Sequence, residues 1–375
     1  MLRCKSFLFA ALLSGSFARL YAQPAGLNLK VFGYFQVSFE YRQDLGQGVE
    51  SKSFNLQQLN LFLQKDLLEN WRALVNFELV NSYSSSRNWG TFNLEEAWVR
   101  YQRGDRLNFK LGLQVPVFNN FNEIKNKTPV LPYIIRPLAY ESSLSEDIAL
   151  EEFVPGRAFV QVQGFIPAKE LKLDYALFAG NSPNINSDRG SQTGVDTTKL
   201  FLLGGRFGLR NSNFKLGVSA TFDDLDFHLV AQFLGYRPSD FNKVPRLRLG
   251  GDFSLDAGKW FWASEFIRVT YDDDHPQFDF DKDFYYGTLG FHLTERLFAY
   301  GGYWVTRENA LPFQELDVIA LTPGLFYNFN DVISFKAQYG RVHFEGFTTR
   351  PPEFTPRIPI DMNANYYFLA ISAFF

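Results

Sequence analysis

Apolar and polar residues alternate one by one in short runs along most of this chain. In the clearest run, Leu107, Phe109 and Leu111 share one face of a strand, while Asn108 and Lys110 share the other. Similar runs occur at 171–180, 214–222 and 246–255. A period of two indicates strands with one apolar face. Runs of about ten residues separated by turns are typical of outer-membrane barrels, whose apolar face contacts lipid.

The chain ends in another strand of this kind. Tyr367, Leu369, Ile371, Ala373 and the terminal Phe375 all fall on one face. At the end of a soluble protein such a strand would fray and leave an edge that aggregates. In a closed barrel the edge disappears, because the last strand pairs with the first. We expect Tyr367, Leu369, Ile371 and Phe375 to form the signal that the barrel assembly machinery recognises.

The connections between strands alternate in length, which predicts the topology. Short periplasmic turns are expected at 67–70, 103–105, 167–170, 210–213, 256–259, 294–296 and 328–331. Long extracellular loops are expected at about 42–53, 83–90, 116–156, 181–197, 272–283, 307–316 and 345–360. Bacterial barrels place their long loops outside the cell.

Seventeen runs resemble strands, but an odd number would put the chain ends on opposite sides of the membrane. If 224–245 is one extracellular loop with a hairpin-like protrusion at 226–236, sixteen strands and eight long loops remain. The sequence therefore predicts an all-β fold, a closed antiparallel transmembrane barrel of sixteen strands. A barrel of eighteen strands, with another strand inside 116–156, is the alternative.

The first residues have the features of a secretory signal peptide. Arg3 and Lys5 precede an apolar run at 7–13, and Ala22 provides a small residue before a predicted cleavage. The apolar run is shorter than the roughly 20 residues that a membrane helix needs. Residues 1–22 are thus predicted to be removed, and 23–375 to form one barrel domain in a Gram-negative outer membrane. The single cysteine, Cys4, lies inside the signal, so no disulfide or cysteine-based metal site is expected.

Composition and charge agree with this class. Aromatic residues make up 18% of the chain, yet no later stretch is long and apolar enough for a helical span. The net charge is −3 and becomes more negative without Arg3, Lys5 and Arg19. Nucleic-acid partners are not expected, because they require a basic stripe.

A barrel of this size predicts an aqueous pore. Barrels of about 16 to 18 strands leave a channel, whereas those of about eight are filled by their own side chains. The first predicted strand, 29–41, starts soon after the cleavage point, which leaves no room for a plug domain. Passive diffusion of small hydrophilic solutes is the predicted function. An outer-membrane surface protein with a closed bore, acting in binding or structure, is the alternative.

The longest loop, 116–156, is the candidate pore constriction, with an outward-facing loop over the mouth as the other interpretation. Its candidate constriction residues are Lys125, Lys127, Arg136, Arg157 and Glu123. Acids outnumber bases in this loop, but the strand faces assigned to the lumen are mainly basic. The lumen candidates are Lys110, Lys172, Arg206, Lys215, Arg246, Arg248 and Lys336, against Glu78, Asp174, Asp252 and Glu265. Charge rings bias ion passage, so anion preference, general diffusion and a specific organic solute all stay open.

One known family shares these features. The long loop follows strand five, which is predicted at 107–116, and the strands resume at 155–157. With these features and a later run at 215–221, the chain resembles the phosphate-selective porin O and P family, in a branch from Bacteroidetes-like bacteria. The resemblance implies a sixteen-stranded barrel, commonly a homotrimer, with basic residues along a path for anions such as phosphate. Lipid and lipopolysaccharide would surround it. The comparable loop here carries only four bases, Lys125, Lys127, Arg136 and Arg157.

Enzymatic chemistry is not predicted. The four histidines are His228, His275, His292 and His343, and no serine lies in a Gly-x-Ser-x-Gly elbow. An acidic run at 272–283 lacks the glycine and terminal glutamate of a calcium loop, so no metal or other cofactor is expected.

Three local features are also predicted. A bulge is expected in 259–271, where Glu265 and Arg268 lie on opposite faces, and Pro323 should disturb its strand. Tryptophans are expected in interfacial girdles: Trp71, Trp98, Trp260, Trp262 and Trp304.

Overall fold

The computed structural model describes residues 28–44, 48, 50–81, 91–141, 157–182, 200–225, 244–272, 280–310, 314–349 and 356–375. These residues form sixteen β-strands and two short 3-10 helices, Thr128–Val130 and Leu138–Tyr140. Within the described ranges, no helix is both long and apolar enough to pass through a bilayer.

The strands are long and follow one another along the chain. They are β1 Leu29–Asp44, β2 Glu50–Leu68, β3 Trp71–Asn81, β4 Thr91–Arg103, β5 Leu107–Gln114, β6 Arg157–Ala168, β7 Leu171–Gly180 and β8 Leu202–Arg210. They continue as β9 Phe214–Leu225, β10 Val244–Ala257, β11 Trp260–Tyr271, β12 Phe280–His292, β13 Leu297–Ala310, β14 Gln314–Asn328, β15 Ile333–Thr348 and β16 Ile358–Phe374.

Each strand pairs antiparallel with its neighbours in sequence, and β1 pairs with β16 to close the barrel. The register at the closure places Tyr34 opposite Phe374. The Gly33 amide donates to the Phe375 carbonyl at 2.9 Å, and the Phe375 amide donates back to Gly33 at 3.0 Å. The predicted closed antiparallel barrel of sixteen strands is therefore confirmed. The described part of 116–156, residues 116–141, contains turns and 3-10 helices and no strand, so the eighteen-strand alternative is not confirmed.

Side chains alternate between an outer and an inner face. On β16, Tyr367, Leu369 and Ile371 point outward with exposed fractions of 43%, 58% and 47%, whereas Tyr366 and Phe368 are buried inside. The terminal Phe375 is also exposed on the outside. In water such an apolar surface would aggregate, whereas hydrocarbon would solvate it. The recognition of this strand by an assembly machinery stays a prediction.

At one end of the barrel the connections are short turns. They comprise residues 69–70, 104–106, 169–170, 211–213, 258–259, 293–296 and 329–332. Gly104 and Gly258 have φ values of 62° and 69°. This left-handed backbone conformation costs glycine little.

At the opposite end two connections are shorter than predicted. The loop expected at 42–53 comprises only 45–49, and the loop expected at 307–316 comprises only 311–313. The ladders continue through charged residues there, and an outward ion pair joins Arg307 Nε to Asp317 Oδ2 at 3.3 Å. In a bilayer, charges on the outer face would favour a position of these strand ends beyond the hydrocarbon. The predicted signal at 1–22 and the protrusion at 226–236 lie outside the described residues.

The bulge predicted for 259–271 is wrong. Strand β11 pairs with β10 and β12 without a shift of register. Glu265 points inward and Arg268 outward, where Arg268 Nη2 lies 3.3 Å from Asp281 Oδ2. Glu265 and Arg268 each have partners on their own face of the strand. The side chains can therefore alternate strictly, and no bulge is needed. The bulges lie instead in β1 to β4, at Gln36/Val37, Leu56/Leu59, Asp66/Leu68 and Asn76/Phe77.

The irregularity predicted at Pro323 is confirmed. Pairing between β14 and β15 is interrupted between Leu321 and Gly324, as expected because proline lacks the amide that the ladder needs.

The predicted tryptophan girdle holds for only part of the set. Trp71, Trp260 and Trp262 are exposed on the outer face. Trp304 is completely buried inside the barrel, and Trp98 lies on the inner face of β4, so the girdle prediction is wrong for these two. Both rings instead help to shape the interior.

Candidate pore and its constriction

Residues 115–141, here called the constriction segment, lie inside the barrel. Phe118, Ile134 and Tyr140 of this segment are at most 1% exposed. Its hydrogen bonds reach inner-face side chains of many strands, from Gln58 on β2 to Gln338 on β15. A loop that merely covered the mouth could not make contacts around the wall in this way.

Two basic residues hold the segment in its own shape. The Lys125 ammonium donates to Asn122 Oδ1 at 2.7 Å, and the Asn122 amide donates to the Pro116 carbonyl at 2.9 Å. Arg136 Nη1 donates to the Lys125 carbonyl at 2.9 Å, while the Arg136 amide donates to Glu141 Oε2 at 2.8 Å. Lys125 is 1% exposed. The structure thus places these two candidate constriction residues in internal contacts of the segment.

One side of the segment is apolar and packs on the inner face of β10 to β16, here called the apolar wall. Ile134, Ile135 and Leu138 belong to a single buried cluster with wall residues such as Val318 and Phe344. The wall members of that cluster on these strands are Val244, Ile267, Val269, Tyr271, Phe284, Tyr286, Phe298, Tyr300, Trp304, Leu316, Val318, Ala320, Val342, Phe344, Ala364, Tyr366, Phe368 and Ala370. Each fully buried large aliphatic or aromatic side chain stabilises the packing by roughly 1.5–3 kcal/mol.

Aromatic contacts fix the position of the segment on this wall. The Tyr133 ring meets the Tyr300 ring edge to face, with centroids 5.2 Å apart. Tyr133 also lies 6.1 Å from Trp304, and Phe121 lies 6.0 Å from Tyr286. Edge-to-face aromatic pairs contribute about 0.5–1.5 kcal/mol beyond area burial.

Polar wall residues bind the backbone of the segment. The buried Lys336 ammonium donates to the carbonyls of Thr128 at 2.8 Å and Pro129 at 3.2 Å, and to Gln36 Oε1 at 2.7 Å. Gln338 Oε1 accepts from the amides of Ile134 and Ile135 at 2.7 and 2.9 Å. Lys336, a candidate lumen residue, is therefore an anchor for the segment.

A second anchor lies on β11. The Tyr140 hydroxyl donates to Glu265 Oε2 at 2.6 Å, and the Phe121 amide donates to Glu265 Oε1 at 2.8 Å. Nearby, the Asn119 amide donates to Ser219 Oγ at 2.9 Å. Because these donors come from both ends of the segment, Glu265 holds them together against the wall.

All three predicted lumen arginines form buried ion pairs. Arg206 bonds Asp252 through Nε at 2.9 Å and Nη2 at 2.7 Å, and it also pairs with Asp174. Asp223 accepts from Arg246 Nε at 2.9 Å and from Arg248 Nη1 at 3.0 Å. All three arginines are at most 2% exposed. Each of these guanidinium groups is thus paired with a buried aspartate, and Arg246 and Arg248 share Asp223.

The remaining lumen candidates are solvated to different degrees. Lys172 and Lys215 are exposed near the end with short turns. Lys110 is half-buried, and its ammonium lies 4.7 Å from the centroid of the Trp98 ring.

The inner face of β1 to β5, here called the polar wall, differs from the rest of the bore. Its residues include Tyr34, Asn60, Asn76, Glu78, Glu95, Glu96, Trp98, Arg100, Asn108 and Lys110. Glu95, Glu96, Trp98, Arg100 and Lys110 are half-exposed, whereas the cluster residues of the apolar wall are buried. Solvent therefore reaches the interior on this side.

Bulges place consecutive side chains inside the barrel on this wall. Gln57 Nε2 donates to the Ile134 carbonyl at 2.6 Å, while its neighbour Gln58 bonds the carbonyl of Asn126. On β4, Glu95 accepts from Asn126 at 3.2 Å and Glu96 accepts from Trp98 Nε1 at 2.8 Å. A bulge redirects side chains in this manner.

The face of the segment that is turned toward the polar wall carries Glu123 and Lys127, which are both half-exposed. The charge of Lys110 interacts favourably with Glu96 and Glu123, and unfavourably with Lys127 and Arg100. Burial raises the pKa of Glu123, whereas Lys110 and Lys127 lower it. Half-exposed charges of both signs thus lie on the segment and on the polar wall. The Arg157 side chain lies outside the described residues, and its backbone pairs with Gln114.

Sequence reasoning missed Glu95, Glu96, Trp98 and Arg100 as residues of the interior path. A signal was present, because Gln57-Gln58 and Glu95-Glu96 are adjacent polar pairs that break the alternation. Such pairs are expected where a bulge turns two consecutive side chains inward.

Catalytic and metal chemistry gain no support from the described residues. His292 packs against the Phe298 ring at 4.8 Å, and His343 Nε2 lies 3.6 Å from Glu345 Oε2. No group of three or more possible metal ligands occurs in the described ranges.

No protein-family model matches this chain, and no curated protein sequence does either. Solved structures do match. An anion-selective porin from Comamonas acidovorans has a TM-score of 0.64 at 11% identity and covers 92% of this chain and 99% of its own. The outer membrane channel DcaP of Acinetobacter baumannii has a TM-score of 0.57 at 10% identity, covering 94% and 99%.

OmpT, an outer membrane protein of Vibrio cholerae solved in a trimer form, matches with a TM-score of 0.55 at 11% identity, covering 92% of this chain and 99% of its own. At these identities the likeness concerns the fold. This chain has the fold of outer-membrane porins.

Proposed function

We propose that this protein is an outer-membrane porin that lets small hydrophilic solutes diffuse passively through a narrow path between the constriction segment and the polar wall. The observation that carries the proposal is the half-exposed, charged inner face of β3 to β5 opposite Glu123 and Lys127. An aqueous route in a sixteen-strand barrel needs a polar lining of this kind.

The same geometry predicts strong size selection. The constriction segment is held on the apolar wall by the cluster around Ile134 and Leu138 and by the anchors Lys336 and Glu265. Solutes can therefore pass only on the side of the bore that is lined by the polar wall. We expect a conductance well below that of a barrel of this size without a constriction segment.

Anions such as phosphate are among the proposed solutes, because Lys110, Arg100 and Lys127 border the path. A strong anion preference has less support. Glu95, Glu96 and Glu123 border the same path, and Arg206, Arg246 and Arg248 are paired with aspartates. We therefore propose weak selectivity between small ions.

A surface binding or structural protein with a closed bore is the second candidate. The buried cluster that joins the segment to the apolar wall favours it, since apolar packing removes that side of the bore from transport. The two candidates differ in one respect: only the porin has a continuous aqueous path past Trp98 and Lys110.

Location and assembly are part of the proposal. The porin fold and the apolar outer face, with Leu369 at 58% exposure, support an outer-membrane position in contact with lipid and lipopolysaccharide. The trimer form of the structural neighbour from Vibrio cholerae supports a homotrimer. Absence of enzymatic activity and removal of residues 1–22 remain predictions.

The deciding experiment is reconstitution of the mature chain into planar lipid bilayers. Stepwise current increments of uniform size are expected from the porin. A protein that is folded by circular dichroism and inserted into the bilayer, yet produces no steps, would refute the porin and favour the closed bore. Replacing chloride by phosphate in the same membrane measures ion preference through the reversal potential.

A further inference from the structure

Trp98 stands out among the residues of the path, because a large aromatic ring on the inner face of β4 contacts charges of both signs. Its indole Nε1 donates to Glu96 Oε2 at 2.8 Å, and the Lys110 ammonium lies 4.7 Å from the ring centroid. The guanidinium carbon of Arg100 lies 5.8 Å from the same ring. Gly112 is the register neighbour of Trp98, and a Cβ there would lie 2.8 Å from the Trp98 Cα.

We propose that Trp98, Glu96, Lys110 and Arg100 form a contact site for small zwitterionic solutes of the amino-acid class. This inference rests on the proposed porin function and names its substrate class. Such a solute carries an ammonium and a carboxylate a few atoms apart. Around the Trp98 indole, Glu96 can bind the ammonium, and Lys110 and Arg100 can bind the carboxylate.

The charges are ordered by sign along the wall. Strand β4 runs from the end with long connections to the end with short turns, so Glu95 and Glu96 precede Arg100 along the path. Lys110 pairs in register with Arg100 on the neighbouring strand. A zwitterion aligned with the path would meet carboxylates at one end and cations at the other.

Unpartnered polar atoms border the acidic end. The Tyr34 hydroxyl and Asn60 Oδ1 are buried, at 6% and 0% exposure, and neither has a hydrogen-bond partner among the described residues. Asn60 is the register partner of Tyr34 on one side and of Glu78 on the other, so these three residues lie in one row across the wall. An ammonium donates three hydrogen bonds. The Tyr34 hydroxyl oxygen, Asn60 Oδ1 and the neighbouring carboxylates can accept them.

The basic end has a matching feature. Arg100 Nε is buried and has no acceptor among the described residues. Arginine binds carboxylates through two parallel donors, which lysine cannot do. With Lys110 beside it, Arg100 can receive the carboxylate of a solute.

The contrast with the buried ion pairs explains why these charges point to a ligand. Arg206 and Asp252, or Arg246 and Asp223, bond each other directly at 2.9 Å or less. Glu96 and Lys110 attract each other, but no direct ion pair joins them within the described ranges. Separated charges on a solvated wall remain available to a solute that brings the opposite charges.

The test uses the mature chain in liposomes. Swelling rates are measured with serine, with erythritol as an uncharged solute of similar size, and with sodium phosphate. We expect serine to enter faster than erythritol by about five-fold, since about 1 kcal/mol of favourable charge contact corresponds to that ratio. Glu96→Gln and Lys110→Gln should each reduce the preference, and Trp98→Leu should reduce it further by altering the position of both charges.

Matched controls are Trp262→Leu on the outer face and Lys259→Gln in a short turn, which should keep the preference. Equal rates for serine and erythritol in a conducting protein would overturn the site. So would a preference that survives in both Glu96→Gln and Lys110→Gln, or phosphate entering faster than serine with only Lys110→Gln affecting it.

Failure of the porin itself would be recognised separately, as liposomes in which no solute causes swelling. Calorimetric titration of serine into the detergent-solubilised chain then decides the site alone. Binding that Glu96→Gln weakens supports it, and absence of binding refutes it.

Discussion

The apolar wall and the polar wall enclose the same bore but behave in opposite ways. On β10 to β16, inward residues such as Val318 and Val342 are completely buried against other side chains. On β3 to β5, inward residues such as Glu96 and Lys110 keep contact with solvent. The apolar wall thus resembles a protein core, and the polar wall resembles a channel lining.

The strands of the two walls also differ in the regularity of their pairing. The ladders of β9 to β13 are free of register shifts, while β1 to β4 contain several bulges. Regular alternation suits a wall that packs, because each inward side chain meets one neighbour. Bulges suit a wall that must present consecutive polar groups, as Gln57 with Gln58 and Glu95 with Glu96 do. The open part of the bore therefore depends on both the packing at the apolar wall and the bulges of the polar wall.

The largest expected effect comes from a charge placed between the segment and the apolar wall. Ile135 is 2% exposed and packs in the buried cluster. In Ile135→Asp a carboxylate without a partner would be buried there, at a cost of several kcal/mol. We expect the segment to leave the wall and the single-channel conductance to rise several-fold, with noisier open levels.

Ile124 provides the matched control on the same segment, since it is 39% exposed and lies outside the buried cluster. Ile124→Asp should retain the original conductance and differ only in ion preference. If both variants change the conductance equally, the two sides of the segment are not different, and the distinction between the walls fails.

A smaller effect is expected from the anchor Lys336. In Lys336→Met the apolar packing stays, but the carbonyls of Thr128 and Pro129 lose their donor. Each buried group left unpaired costs about 1–3 kcal/mol. We expect flickering between two current levels and faster protease cleavage within 115–141. Lys215→Met removes an equal charge from an exposed position, so steady current in that variant would separate anchoring from electrostatics.

The barrel itself could be predicted from the sequence, because strict alternation and a fixed order of short turns leave few other folds. The terminal strand is an example: Leu369 and Ile371 face outward and close against β1 as their spacing requires. The lengths of the connections at 45–49 and 311–313 could not be predicted, since ladders continue beyond the lipid wherever polar residues still pair across strands.

The path was harder to predict for a physical reason. A strand pattern shows which side chains face inward, but it does not show which inward charges neutralise each other. Arg206 and Lys110 look alike in sequence, yet Arg206 bonds two aspartates while Lys110 borders solvent. Likewise, Lys125 and Lys127 are two residues apart, and only the turns of the segment decide which of them is buried.

Ion preference should respond to charges on the polar wall side. Lys127→Gln removes a half-exposed cation from the path, and a unit charge near a passing ion contributes about 1 kcal/mol in water. We expect the anion-to-cation permeability ratio to fall by up to about five-fold at low salt, and by less at high salt because of screening. Lys259→Gln in a short turn should leave the reversal potential unchanged. An equal shift in that control would show that charge outside the bore sets the preference.

The smallest expected effect is a pH dependence that depends on Glu123. Burial raises its pKa, so this carboxylate gains its proton at a higher pH than the ordinary value of about 4.3. Above that pKa the group is negative and repels anions; as the pH falls through it, the path loses one negative charge and anion permeability should rise. Reversal potentials recorded from pH 8 to pH 4 measure the change. Glu123→Gln carries no titrating group and should lack this component, whereas Glu295→Gln in a short turn should retain it. The same pH response in Glu123→Gln would mean that another acid controls the path.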